Sequence, residues 1–462
     1  MIWLGLLAIA CGLWFTKQKV ATVIIFFFFL TNGFQLIPAL WFDTGMGIQK
    51  GADFALIILM TAFTGSLMDN VKMLRTDPIA RAIMVFIGFV FISIIYSKFV
   101  LQYDMMVILR VARRFLFLLG YFVFKQLSYK EVEKIIHIMV GITFVQCLIF
   151  LAQIYFGVTL LNRQSDEVVE LSGRGAIGEW KRLYNLPEYT VFCMLYLMFT
   201  DKIRTFIRVS FVSIMSIAFV MTLHRSWITW FIVVIGFVGL FRTSGLWKKI
   251  LTVTTISAFA LLPILFPAVG ERLESGLDDI KNAMSGGFNA NTNKFEDSFS
   301  FRIAHVLERW DFITREPAGV IFGVGFLTED ANQSQYLNFS VGWADKYGTR
   351  QIDTADISWS LMFMWCGVVG SVLYLVYYFR NTFYLWKHRE SNIAVVGVSY
   401  MLLYFLTSFT STTFIEATSI IVYCMITAAT TIELTEKSKQ YTQEIDTILT
   451  NNGLYQRRLQ FR

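Results

Sequence analysis

Long unbroken runs of apolar residues dominate this chain and leave it few choices of fold. From Val20 to Leu30, for example, Thr22 alone is polar. About 20 such residues cross the hydrocarbon core of a bilayer as a helix. Backbone in hydrocarbon must satisfy its own hydrogen bonds, so spans are helices or closed barrels. Barrel strands alternate apolar and polar residues, and these runs do not. The expected class is an all-α polytopic membrane protein. Composition agrees: 56% of the 462 residues are hydrophobic, Phe alone supplies 45, and mean hydropathy is +0.57.

At about 20 residues per span, about thirteen segments fit, so about 12–14 transmembrane helices are expected. They lie near 1–16, 19–41, 52–68, 81–97, 105–124, 135–157, 188–201, 209–223, 226–241, 250–269, 356–379, 393–411 and 416–433. The first lacks a basic flank and a small-residue cleavage site, which reads as a span rather than a removable signal. The chain divides into an N-terminal transmembrane bundle at 1–269, with about ten helices and an external loop at 158–187, and a large polar loop at 270–355. C-terminal transmembrane helices at 356–433 and a cytoplasmic tail at 434–462 complete it.

Lys and Arg set the expected orientation. Alternate connections hold Lys17 and Lys19, then Lys72, Arg75 and Arg81, then Lys125, Lys130 and Lys134, then Lys202, Arg204 and Arg208. That side reads as cytoplasm, and the 158–187 and 270–355 loops then lie outside, in the periplasm of a bacterium. The net charge of +7 is thus a topology signal, not a nucleic-acid one. All five cysteines sit inside apolar runs and read as small buried hydrophobes.

External arginines are not needed for topology and want another explanation. In the large loop, Glu271 to Met284 reads as an amphipathic helix. A second helix runs from a cap at Ser298 or Ser300 to about Thr314, with Phe299, Ile303, Val306, Trp310 and Ile313 on one stripe. Arg302, His305 and Arg309 form an adjacent polar stripe, and Arg315 follows. With Trp310 turned inward, that polar edge faces whatever lies beside the helix. Guanidinium forks match phosphate oxygens, so this edge suits a pyrophosphate. It equally suits a solvated face paired with Glu308 and Asp311. Glu316-Pro317 ends the helix, and Ala318 to Gly325 reads as a tight apolar return.

Further candidates lie elsewhere. Arg110, Arg113 and Arg114 share one helix face inside the 105–124 segment, facing a polar cavity, a lipid phosphate or an ion-pair partner. Arg225 sits in a tight external turn. Arg174 and Arg182, near Trp180, fit either a sugar–phosphate surface or an interfacial belt, and Arg163 shares their loop. Asp353 and Asp356, where the chain re-enters the membrane, suit a general base or a helix N-terminal acid. No nucleotide-binding loop, metal-ligand spacing or Ser-His-Asp order occurs. No cofactor or metal is therefore expected.

The stretch Phe301-Arg302-Ile303-Ala304-His305-Val306-Leu307-Glu308-Arg309-Trp310, then Glu316-Pro317 and Phe322-Gly323-Val324-Gly325-Phe326, resembles the signature of the O-antigen polymerase and O-antigen ligase superfamily. Thr222-Leu223-His224-Arg225-Ser226 is similar to that family's Ser-Arg turn, and the layout of many spans with one large external loop matches over most of the chain. The resemblance implies a GT-C-like, metal-independent, inverting glycosyltransferase whose donor is an undecaprenyl-diphosphate-linked oligosaccharide. It implies that Arg302 and Arg225 bind the donor's diphosphate and that an external base, here Asp353, Asp356 or His305, serves the acceptor hydroxyl. Arg309, Arg174, Arg182 and Arg315, then Arg110, Arg113 and Arg114, are the further diphosphate candidates.

Membrane lipid, a chain-length regulator and a flippase are the implied partners. Ligases of the family carry a His before the span that follows the loop. Asp353-Thr354-Ala355-Asp356 stands there instead, which favours a polymerase of O-antigen, capsule or exopolysaccharide repeats. A ligase acting on lipid A core or protein, and a lipid-linked-oligosaccharide flippase, are the rival expectations.

Overall fold

The computed structural model describes residues 2–44, 50–162, 183, 185–222, 224–242, 298–329, 331–337, 339–342 and 357–451. Among them all regular structure is helical. The N-terminal helices are α1 (Ile2–Phe15), α2 (Lys19–Leu30), α3 (Gly51–Thr64), α4 (Leu67–Thr76), α5 (Pro78–Ile95), α6 (Met105–Leu116), α7 (Gly120–Phe124), α8 (Tyr129–Phe156), α9 (Thr190–Phe199), α10 (Thr205–Met221) and α11 (Arg225–Arg242). Then come α12 (Ser298–Thr314) and α13 (Pro317–Phe322) from the polar loop, and α14 (Ser358–Lys387), α15 (Asn392–Thr407) and α16 (Ala417–Asn451).

Polar connections start these helices by capping. Asp77 accepts from the amides of Ile79 (2.9 Å) and Ala80 (3.3 Å), with Pro78 in the first turn of α5. Ser128 and Glu131 form a capping box on α8, and Gly157, in the left-handed region, closes its far end.

Among the described residues four helices are long and apolar enough to cross a membrane: Pro78–Val100, Tyr129–Phe156, Ser358–Lys387 and Ala417–Thr447. The pair α3–α4, bent by 76°, counts as a fifth if it is one broken span. The described residues thus contain fewer uninterrupted spans than the expected dozen or more, because several apolar runs are broken within. The 105–124 segment is split by a 3₁₀ turn at Phe117–Leu119. The 19–41 segment stops at Leu30, where Asn32, Gly33, Phe34 and Gln35 all take positive φ. The remaining apolar helices are 10–17 residues long, and the 250–269 run lies outside the described residues.

Hydrogen bonds sort the connections onto two ends. At one, Lys19 Nζ donates to the Gln126 carbonyl (2.8 Å), Gln126 to Asn70 (3.2 Å), Tyr121 to Asp77 (2.5 Å) and the Tyr129 amide to Glu436 (3.2 Å), while Lys202 pairs with Glu133 (2.7 Å). At the other, the Gly51 amide donates to Asn32 (3.2 Å), the Asn162 amide to the Gln35 carbonyl (2.7 Å) and the Glu188 amide to Gln35 Oε1 (3.2 Å). The first is the lysine-rich end of the sequence; the second carries the polar loop.

The 317–327 part of the loop is docked into the bundle. α14 breaks at Gly367 (φ 61°, ψ −168°), which releases carbonyls from the helical ladder. The Val324 amide donates to one of them, Met364 O, at 2.7 Å. A Cβ on Gly367 would lie 2.6 Å from Val320 O, and one on Gly323 (φ +63°) 2.5 Å from Phe363 O. Two glycines therefore let α13 lie against the break. Beyond it, Phe326 N–H donates to Ser97 Oγ (3.0 Å) and the Tyr103 hydroxyl to Val324 O (3.0 Å), and Phe322 stacks on Tyr96 at 4.3 Å.

Candidate functional site

The site is built around the first turns of α14. Ser358 N–H donates to Ser408 O (3.0 Å), Ser358 Oγ to Ser411 O (2.6 Å) and Trp359 Nε1 to Ser408 Oγ (3.0 Å). These bonds fix the 408–416 turn between α15 and α16. In the same first turn of α14, Ser360 Oγ meets His305 Nδ1 of α12 at 2.8 Å. The loop helix and the 408–416 turn therefore grip the same stretch of α14.

α12 occupies Ser298–Thr314 as expected, but its buried edge differs from the expected stripe. Ser300, Ala304, His305, Arg309 and Ile313 are buried, whereas Trp310 is 40% exposed, its ring packed edge-on against Phe363. Ala304 lies on the same buried edge as His305 and Arg309. His305 is fully buried against Ser360. Arg309 pairs with Glu308 (2.6 Å) and lies 4.1 Å over the Phe339 ring. Glu308 also accepts from the amides of Ser340 (2.5 Å) and Val341 (3.0 Å), so the pair fastens the segment after α13. Burial pulls the Arg309 guanidinium down to about 10, with Glu308 opposing, which leaves it charged at neutral pH. Arg302 is half-buried on the same helix. Arg315 is an exposed partner of Asp311 (2.5 Å), the solvated arrangement.

Across the 408–416 turn stand two carboxylates that sequence reasoning missed. Glu416 Oε1 accepts from Thr412 (3.1 Å), and Glu188 Oε2 accepts from Thr418 (3.2 Å) at the start of α16. Both are half-buried, and both act electrostatically on Tyr404. Tyr404 meets the Trp227 ring edge-on at 5.1 Å, two residues into α11 from half-buried Arg225. Arg225, Glu188, Glu416 and the α12 docking thus belong to one end of the bundle. In sequence, Glu188 and Glu416 look like ordinary acids ahead of apolar helices; no local signal brings them together.

Arg113 and Arg114 of α6 have partners of their own on α3 and α14. Arg113 makes an ion pair with Asp53 in the first turn of α3, the ion-pair alternative. Arg114 lies 4.8 Å over the Trp365 ring, whose Nε1 donates to Leu327 O at 2.9 Å. Arg110 is half-buried one turn earlier. Arg163, Arg174, Arg182, Asp353, Asp356 and the helix expected at Glu271 to Met284 lie outside the described residues. Among the described residues no three His, Cys, Asp or Glu side chains converge as a metal would require. An open cavity of about 520 Å³ lies at the lysine-rich end, and no expected site residue lines it.

No protein-family model matches this chain, and no curated protein matches it significantly.

Proposed function

We propose that this chain is a membrane glycosyltransferase that joins lipid-linked oligosaccharide repeats, drawing on an undecaprenyl-diphosphate-linked donor and extending a second lipid-linked glycan. The membrane is the bacterial inner membrane, and the loop-bearing end faces the periplasm. The reading is supported by the end of the bundle that Arg225, half-buried Glu188 and Glu416 and the docked α12 share, with the 408–416 turn between α15 and α16 at that end. The order of the Arg225 turn, the Arg302 segment and the Gly323-Val324-Gly325 return along the chain supports it as well.

The chemistry follows from those groups. Arg225 and Arg302 hold the diphosphate and stabilise the charge that grows on it as the anomeric C–O bond breaks. A carboxylate, Glu188 or Glu416 here or Asp353 or Asp356 from the sequence, takes the proton of the acceptor hydroxyl as its oxygen attacks that carbon from the opposite face. Holding both lipid tails in one bilayer supplies proximity.

Reconstitution into vesicles with lipid-linked repeats tests this. Donor alone is expected to yield a ladder of longer glycans, and Arg225→Ala and Arg302→Ala to slow it by about 10²–10³-fold each. Growth only after lipid A core is added would identify a ligase, and movement across the bilayer without growth a flippase.

A further inference from the structure

We infer that the open cavity at the lysine-rich end binds the phosphate of an anionic glycerophospholipid. The cavity is about 520 Å³ and is lined by Lys130, Glu133, Lys134, His137, Ile138 and Lys202. It lies where the first turns of α8 diverge from the α9–α10 connection. Three lysines line it beside a single carboxylate, which pairs with Lys202. Lys130 and Lys134 are four residues apart on one helix face, a spacing at which like charges repel. A positive-inside bias requires lysines at this end, but not lysines gathered around a cavity. An anion between them relieves the repulsion.

The walls are fixed before any ligand arrives. Lys202 Nζ pairs with Glu133 at 2.7 Å and lies 4.6 Å over the Tyr129 ring. The turn that carries it is pinned: buried Arg208 donates to Thr200 O and reaches Asp201 at 3.4 Å, and the Lys202 amide donates to Thr200 Oγ1 at 3.3 Å. Deeper in, His137 and the Tyr196 hydroxyl hydrogen-bond at 3.1 Å. Glu133 is engaged by Lys202, and exposed Lys130 and Lys134 line the rest of the cavity.

A membrane lipid, rather than soluble phosphate, is the source that the surroundings favour. α8 and α10 stack through Phe144 and Phe211, with centroids 3.8 Å apart. Further along both helices exposed apolar residues continue: Phe206 (83%), Val209 and Ile217 on α10, Val145 and Leu148 on α8. A headgroup in the cavity would lay its chains along that flank. Basic pockets between transmembrane helices hold lipid phosphates in this manner.

The full chain in detergent, titrated with phosphatidylglycerol or with chain-matched phosphatidylcholine and read by native mass spectrometry, tests the site. Phosphatidylglycerol should be retained at about tenfold lower concentration. The triple variant Lys130→Gln, Lys134→Gln, Lys202→Gln should lose that preference, and the corresponding triple Arg variant should keep it. Thermal melting checks that both variants remain folded. An unchanged preference in the Gln variant, or none in the wild type, overturns the inference. So does displacement of the lipid by millimolar inorganic phosphate, which would make soluble phosphate the ligand.

Discussion

Arg302 and Arg309 lie seven residues apart on the loop helix and differ in burial. The Arg309 side chain is fully buried, paired with Glu308, which also holds two backbone amides of the following segment. Removing one partner of a buried pair is costly. Arg309→Ala is therefore expected to lower stability by on the order of 3 kcal/mol, seen as a lower melting temperature in detergent. Arg302→Ala should melt within a degree or two of the wild type and lose glycan synthesis instead. If Arg302→Ala unfolds the protein, its role is structural and the diphosphate assignment falls. The carboxylates separate in the same way. Glu188→Gln keeps the acceptor geometry toward Thr418 but cannot take a proton, so turnover should drop by about 10²–10⁴-fold with substrate binding retained if it is the base. Full activity in that variant, with loss in Glu416→Gln or Asp356→Asn, would move the role accordingly. Sequence gave the arginine types and the loop helix its limits, because capping and Pro placement are local. It could not tell that His305 and Arg309 face inward. That depends on how α12 docks on α14, which is a tertiary fact.

At the scale of elements, the joint between α13 and the broken α14 is the feature on which the site's placement turns. The docking of α12 through His305 and Ser360 lies just ahead of this joint, and Trp365 lies within it. The glycines of the return were legible, but the helix Pro317–Phe322 that leads into them was not, since a tight return was expected from Ala318 onward. The matching break at Gly367 was not, because a single Gly in a transmembrane segment serves close helix packing as readily as a bend. The two halves of the joint make a reciprocal prediction. A side chain at either glycine meets backbone carbonyls in a left-handed conformation, so neither can relieve the strain by a rotamer change. Gly323→Ala and Gly367→Ala should each destabilise by more than about 1–2 kcal/mol, the cost of the conformation alone for a residue with a Cβ. Limited proteolysis should then cut the loop after α12 faster than in the wild type. Gly88→Ala, in α5 with open space around its Cα, is the control and should change neither readout. Equal proteolysis of all three variants would show that the return is not held by the break.

Over the whole molecule the polar groups divide between two ends. Lys19, Asp77, Lys125, Glu133 and Lys202 gather at one, and the 408–416 turn, Glu188 and the docked loop at the other. The division follows the alternation of lysines along the sequence, which is why the sequence could assign connections to ends. The number of complete spans was harder to read, because hydropathy does not register a left-handed turn or a 3₁₀ break inside an apolar run. Which end meets the cytosol decides the chemistry available to Arg225 and Arg302, and labelling measures it. Cys147, Cys193, Cys366 and Cys424 are buried, so replacing half-buried Cys11 by Ala leaves little reactive background. In that protein, Ser340→Cys probes the loop end and Glu390→Cys the lysine-rich end; both positions are exposed. A membrane-impermeant maleimide is expected to label Ser340→Cys in intact cells, and Glu390→Cys only after permeabilisation. The opposite pattern would put the arginines and carboxylates of the site in the cytosol. A donor presented on the outer leaflet could not reach them there, and the polymerase proposal would be lost whatever the activity of the variants.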